Sequence, residues 1–373
     1  MYLKEEYIFL LSLLIFWISI YILSKLVLLN KYGLQVKPLF IRYSSETFKR
    51  ILYRYSGKWK KMWKMFSYMS VLLGLGLTFF AMIFLLLNLM KIFFWGGQRA
   101  IIAPIIPGVT LSLYWLPYFL IAVVIAIFTH EMAHGILALR EGVNIKAAGA
   151  LLLAIFPGGF VEIDEEELNR LPHVSRMKIF SAGASSNMLA GLIVFLLFSC
   201  LFIQNPSGII VLEVLEGGPL NRAGIGRWDV ICALNGTPIR TYQDLTFFMS
   251  NVKPHDKLVV STSKGNITIV AAPSPDDPHR AIIGIVSPLL IYYPSRLRLG
   301  FFWDIQLYLI LNWLLLVFVN VAVFNMLPIP LLDGDKFIQC LLEKITVKGE
   351  VLRKILNTFS IFLIATNMLL SFT

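Results

Sequence analysis

Two histidines and a glutamate stand in FTHEMAHGIL, positions 128–137, within a run otherwise apolar enough for a membrane. His130 and His134 are four apart, so on a helix they share one face. Their imidazoles can converge on one Zn²⁺ at about 2.0–2.1 Å each. Glu131 lies one step round from His130, free to take a proton from water instead of filling a coordination position. That is the equipment of metal-assisted hydrolysis. An ionisable group in a membrane span is costly and needs an interior partner, which weighs against two histidines that only satisfy hydrogen bonds. His173, His255 and His279 fall in loops and read as solvated.

Two imidazoles do not complete a catalytic zinc site, which wants a third protein ligand and an open position. The candidate is in NMLPIPLLDGDKF, where Asn325, Pro328 and Pro330 break a helix ahead of Asp333-Gly334. Broken backbone at membrane depth is tolerated only where protein buries it or it lines a cavity. Asp333 supplies an anionic oxygen. Asp335 is a rival, but two residues on a helix turn through about 200°, so both carboxylates cannot face one metal. Asn187, in SAGASSNMLAG, is a polar amide in an apolar helix, serving either an interhelical hydrogen bond or a substrate carbonyl. Gly183 and Ala184 let a neighbouring helix come close. In PGGFVEID, Pro157-Gly158-Gly159 reads as a chain break. Phe160-Val161 has strand character, and a free-edged strand there could pair with an unwound substrate.

The elements that must hold these residues are membrane helices. Of 373 residues 57% are hydrophobic and 15% charged, with mean hydropathy +0.75; soluble domains carry about a quarter charged residues. The fold class expected is a polytopic α-helical membrane protein. Spans of about 20 apolar residues are expected at Tyr7 to Leu29, 67 to 92, Tyr114 to Leu139, Lys178 to Ile203, Phe302 to Phe324 and Leu352 to Phe372. The first lacks a cleavage site and reads as a retained helix. Pro104 and Pro107 fall in an apolar connector too short and broken to count. Cys200, Cys232 and Cys340 are too scattered for a disulfide framework. The net charge of +11 does not point to nucleic acid, because the basic residues cluster beside the spans. Residues 30–66 hold ten Lys/Arg, among them Lys31, against the single acid Glu46. A short basic loop stays cytoplasmic. That orientation puts the N-terminus, the 204–300 segment and the C-terminus outside, and residues 141–177 inside.

The 204–300 segment has soluble composition. Alternating runs at Ile209–Val214, Val230–Leu234, Leu258–Thr262 and Ile267–Ala271 read as short strands, Asn235-Gly236 as a tight turn, and Tyr242 to Asn251 as a helix with Phe247 and Phe248 inward. The domains expected are 1–113 (two helices and the basic loop), 114–203 (the HExxH helix, the edge strand and the Asn187 helix), 204–300 (the β-rich insertion) and 301–373 (the Asp333 motif and last helix). The insertion's pattern, Gly217-Gly218-Pro219, Ala223-Gly224-Ile225, Asp229-Val230-Ile231 and Asn235-Gly236, resembles a PDZ domain of the kind attached to proteases. Arg227-Trp228 departs from it, standing where small residues are usual. Such domains bind extended peptide ends by strand addition; a rigid spacer or size filter is the other reading.

HEMAHG in one membrane helix, GxxxN in the next, an inserted PDZ-like domain and NxxPxPxxDG after it together resemble the site-2 protease family of intramembrane zinc metalloproteases, over about residues 115 to 345. The resemblance implies one Zn²⁺ per chain held by His130, His134 and Asp333, with Glu131 as the base. It implies substrate contacts from Asn187, Gly158, Gly159, Phe160 and Val161, with Asn325, Pro328, Pro330 and Gly334 shaping the loop. It also implies a single-pass membrane protein as substrate in regulated intramembrane proteolysis, with the bilayer, and a peptide end at the PDZ-like domain, as further partners. Two other classes share parts of the pattern. A prenyl-protein-type membrane metalloprotease would use a downstream Glu as third ligand. A membrane metal transporter or PDZ scaffold would not need Glu131.

Overall fold

In a computed structural model describing residues 5–27, 33–95, 100–286 and 290–371, the apolar runs become helices. Lys31, the last two residues of the first expected span (28 and 29) and Phe372 lie outside the described residues. Helix α1 (Glu5–Leu26) is followed by strands β1 (Leu34–Lys37) and β2 (Phe40–Ser44), then helices α2 (Glu46–Gly57) and α3 (Lys60–Met90). Next come α4 (Leu116–Arg140), strands β3 (Ile145–Leu153) and β4 (Phe156–Ile163), α5 (Glu165–Arg170) and α6 (His173–Leu201). A β-rich stretch follows: β5 (Gly208–Ile210), β6 (Glu213–Val214), α7 (Pro219–Arg222), β7 (Val230–Leu234), β8 (Thr237–Pro238), α8 (Tyr242–Met249), β9 (Lys257–Thr262) and β10 (Gly265–Val270). It ends with the short strands β11 (Ala272–Pro273), β12 (Ala281–Ile282), β13 (Ile285–Val286) and β14 (Leu290–Tyr292). Helices α9 (Phe301–Asn325), α10 (Asp333–Ile345) and α11 (Gly349–Ser371) close the chain.

Among the described residues six helices are long and apolar enough to cross a membrane: α1, α3, α4, α6, α9 and α11. The chain is an integral, multi-pass membrane protein with a β-rich region. It divides into two units, 194–312 and the remainder.

In the larger unit, α4 opens with proline in its first turn, where the missing N–H costs nothing. It ends at Gly142, whose φ of +90° lets the chain reverse so that Val143 N–H reaches the Ala138 carbonyl at 2.9 Å. The basic loop is not the plain loop expected. It carries β1, β2 and α2, and β2 pairs with β3 in a four-stranded antiparallel sheet ordered β1-β2-β3-β4. That pairing puts residues 40–44 on the same side as residues 149–153. Leu52 of α2 is fully buried with Ile136, Ile145 and Ala148, so the N-terminal region docks on the HExxH helix. Helix α3 likewise packs on the core. Its Leu77 clusters with Met177, Ala184, Met326 and Phe337, and Ser185 donates to the Ser70 carbonyl at 3.1 Å, a small-residue contact of the kind that joins membrane helices.

Pro157-Gly158-Gly159 does not break the chain. All three lie within β4, registered with Leu152, Leu151 and Ala150. Proline is tolerated there because β4 is the edge strand. His173 is not a free loop residue either; it opens α6 and its Nδ1 lies 3.4 Å from Glu343.

The 194–312 unit has its own core of Ile209, Val211, Leu220, Ile231, Leu234, Val260 and Ile269 among others. Its main sheet runs β10-β9-β7-β5-β14, with β8 on β7. Asn235 (φ +47°) and Gly236 (φ +79°) form the tight turn joining β7 to β8. Trp228 takes φ +73°, the conformation a small residue would adopt more cheaply. Phe247 is 77% exposed, not inward; Leu245 and Phe248, three apart, form the inner face of α8. Neighbours 247 and 248 stand about 100° apart on a helix and cannot both point in.

Candidate metal centre and active site

The candidate metal ligands come from two places distant in sequence. His130 and His134 lie on one face of α4 and are both buried. The second place is the gap between α9 and α10. Asn325 ends α9, Pro328 and Pro330 occupy the break, and Asp333 begins α10. The freed Met326 carbonyl accepts the Thr78 hydroxyl at 3.0 Å, so the broken backbone stays satisfied. Gly334 lies against the Met326 and Leu327 backbone so closely that any Cβ would collide.

His130 Nε2 and His134 Nε2 each lie 3.0 Å from Asp333 Oδ2, and 3.1 Å from each other. A tetrahedral ion with bonds of about 2.0–2.1 Å separates its ligand atoms by roughly 3.3 Å, so the spacing fits. Hydrogen bonding points the same way. His134 Nδ1 lies 2.7 Å from the Ile179 carbonyl, which can only accept. The proton of the neutral ring is therefore on Nδ1, and a lone pair on Nε2 faces the carboxylate. That lone pair and the Asp333 carboxylate, directed at one point, suit a cation. Gly183 of α6 supplies the space: a Cβ there would collide with Nε2 of both histidines. This donor set is compatible with zinc, and among the described residues it is the one group of three or more such side chains close enough for a metal.

Asp335 faces elsewhere. It takes hydrogen bonds from Arg353 Nε at 2.7 Å and Asn357 Nδ2 at 2.9 Å, tying α10 to α11. Burial opposes its ionisation, but these bonds outweigh burial and hold the carboxyl below its usual value.

Asn187 is fully buried. Its amide nitrogen lies 3.4 Å from His130 Nδ1 and its oxygen accepts from Thr129 Oγ1 at 2.8 Å, so both polar ends meet protein atoms. Asn325, read in the sequence as loop-shaping, brings its amide nitrogen to 3.1 Å from His130 Nε2. Helix periodicity alone could not foresee that, because the residue is the last of its helix.

Val161 packs inward with Leu52 and Ile136. Phe160 points to the other face of the sheet, under the Arg42 guanidinium at 4.0 Å. Gly158 sits against the Leu151 side chain. Gly159 faces α4: a Cβ would meet Ile127 Cγ2 at 2.8 Å and Glu131 Cγ at 3.0 Å. Glycine here lets β4 lie directly beneath the glutamate. Glu131 and Gly159 also line a cavity of about 360 Å³ with Tyr43, Ser45, Phe48 and Ala150. Small residues line this cavity, so beyond the Gly-Gly pair it leaves little signal in the sequence.

Comparison with known proteins gives these residues a family. The profile of Peptidase family M50 matches residues 118–367. The chain belongs to peptidase family M50, the site-2 protease family. A Methanocaldococcus jannaschii protein without an assigned function is 26% identical over 278 residues, 70% of this chain and 72% of the relative. A membrane-bound transcription factor site-2 protease homolog of Arabidopsis thaliana is 31% identical over 139 residues, 36% of this chain but only 27% of that protein. A Chlamydia pneumoniae protein named as a zinc metalloprotease is 36% identical over 73 residues, 19% of this chain and 12% of its own. The M50 match begins at residue 118, so α1, β1, β2, α2 and α3 precede it.

Proposed function

We propose that this chain is an intramembrane zinc metalloendopeptidase that hydrolyses a peptide bond in or near the transmembrane segment of a single-pass membrane protein, as a step in regulated intramembrane proteolysis. The observation that carries the reading is the convergence of His130, His134 and Asp333 beside Glu131, with the histidines and the glutamate on a helix of membrane-crossing length. Membership of the M50 family supports it. The third candidate ligand, brought to the two histidines, is Asp333 and not a downstream Glu, which disfavours the prenyl-protein alternative.

His130, His134 and Asp333 would hold one ion per chain. When bound, zinc is a Lewis acid that polarises a carbonyl and makes water nucleophilic near neutral pH. Glu131 accepts the proton of the attacking water on its carboxylate and returns it to the leaving nitrogen. The Asn325 amide donates toward the scissile carbonyl oxygen as it gains charge, while the Ile179 carbonyl fixes the His134 imidazole and Asn187 lies against that of His130. The substrate must unwind before its amides are accessible. The free edge of β4 offers a partner for the unwound segment by strand addition, with Gly158 and Gly159 giving close approach. The basic cluster of residues 30–66 favours a cytoplasmic sheet and an extracytoplasmic N-terminus and β-rich domain. That domain acts as a PDZ-like element that captures a peptide end or limits substrate size.

The test is zinc analysis of the purified chain together with cleavage of a co-expressed single-span reporter. Near-stoichiometric zinc and a cut within the span support the reading. A zinc-loaded chain that cuts no reporter argues against it. For orientation, a cysteine at Ser263 should react with an impermeant thiol reagent in intact cells; protection until the membrane is opened would mean the topology is inverted.

A further inference from the structure

The cavity beside Glu131 is built in part by residues that precede the M50 match. In register, Tyr43 of β2 stands opposite Ala150 of β3, and Ala150 opposite Gly159 of β4. Residues directly opposite share a sheet face, so these three form one row. Ala150 is two residues from Ala148, which is buried against Ile136 of α4, so the row faces α4. Its middle and far members have almost no side chain. The space left beneath Val124, Ile127 and Phe128 is about 360 Å³, within the range of ligand pockets. Phe48 of α2 closes one end, its ring 5.5 Å from that of Phe128, and is held there by Ser45, which caps α2. Among the lining residues Glu131 alone is charged. Val124 and Phe128 are about half exposed, so the pocket opens along the flank of α4.

We propose that this pocket receives a bulky apolar side chain of the substrate residue flanking the scissile bond, which makes the N-terminal hairpin and α2 a specificity element of this chain. The inference rests on the proteolytic reading above. Glu131 alone belongs to both the pocket and the reaction, so a side chain lodged in the pocket sits next to the bond that Glu131 serves. An apolar lining favours Leu or Phe there. A carboxylate at the same position would face Glu131 across an apolar lining and be rejected.

The experiment uses the full zinc-loaded chain and a panel of single-span reporters. Each carries Gly, Leu, Phe, Trp or Asp in turn at positions across a glycine-weakened stretch, with cuts mapped by mass spectrometry. Wild type should cut beside Leu or Phe about tenfold or more faster than beside Gly, a ratio typical of apolar pocket discrimination, and should not cut beside Asp. Ala150→Phe fills the row and should collapse or reverse the Phe-to-Gly ratio; Phe48→Ala opens the end and should raise cutting beside Trp relative to Leu. A photo-crosslinking residue at position 43, in the Glu131→Gln background, should trap the reporter through the residue flanking the cut. Unchanged ratios in both variants, or crosslinks only to distant reporter residues, overturn the pocket assignment while leaving proteolysis standing. A wild-type chain that holds zinc and cuts no member of the panel overturns the proteolytic reading itself.

Discussion

Glu131 stands between two unlike regions. On one side, α4, α6 and the α9–α10 break bring His130, His134 and Asp333 within 3.0–3.1 Å of each other. On the other, β2, β3 and β4 leave room where Ala150 and Gly159 present almost nothing to α4. The first region is defined by the polar atoms it brings together, the second by the side chains it omits. A reaction centre is found from charged groups in an apolar setting. A recognition surface can be made by subtraction, and then it shows only once the strands are in register.

The sharpest way to break this contrast is to remove or block the polar side. Asp333→Ala should lose zinc and all measurable cleavage together. Gly183→Val should do the same without touching a ligand, because its Cβ occupies the point where the two Nε2 atoms meet. Metal analysis of the purified variant checks this, and a Gly183→Val chain with full zinc would show that the cluster is not the metal site. Asn187→Ala should weaken zinc affinity by about 10–100-fold, as loss of a histidine-orienting partner usually does. Retained affinity with lowered cleavage would move Asn187 to the substrate.

Asp335 separates fold from chemistry on the same helix. Asp335→Asn should keep zinc and most cleavage yet lower the melting temperature, with a loss below the roughly 3–5 kcal/mol of a fully buried pair, since Arg353 is partly exposed. Its carboxyl is held below its usual value when folded. The α10–α11 contact is therefore fully stabilised above the ordinary carboxylate range near pH 4 and is lost as pH falls through the lowered folded value. A melting profile flat across acid pH would contradict this. The smallest effect belongs to Gly159→Ala, which should slow cleavage several-fold by lifting β4 from Glu131, with zinc retained.

Much of the polar side was legible in sequence. The i, i+4 histidines, the paired prolines before Asp333 and the 200° argument against Asp335 each depend on helix geometry alone, and the Asp335 carboxylate turns from the histidines toward Arg353 and Asn357 of α11 as that argument requires. Helix extents agree to within a turn for most spans; α3 begins seven residues earlier than its apolar run, because Lys60, Lys61 and Lys64 are good helix formers though not apolar. The sheet side was legible only in part: Phe160-Val161 reads as a free-edged strand and lies in the edge strand β4, but the partners of that strand do not show in the sequence. Strand pairing between residues 40–44 and 149–153 is long-range, and Pro157-Gly158-Gly159 carries local signals for a turn that the edge position overrides. The Asn325 contact was missed for the related reason that its direction depends on where α9 stops.

The most direct test of the central claim is to measure zinc content and reporter cleavage on the same preparation of Glu131→Gln. General-base catalysis contributes about 10²–10⁴-fold. The variant should therefore keep near-normal zinc, because His130, His134 and Asp333 are untouched, while cleavage falls by at least that range. Cleavage at the wild-type rate would contradict the hydrolytic mechanism, and loss of zinc would mean that Glu131 is itself a ligand.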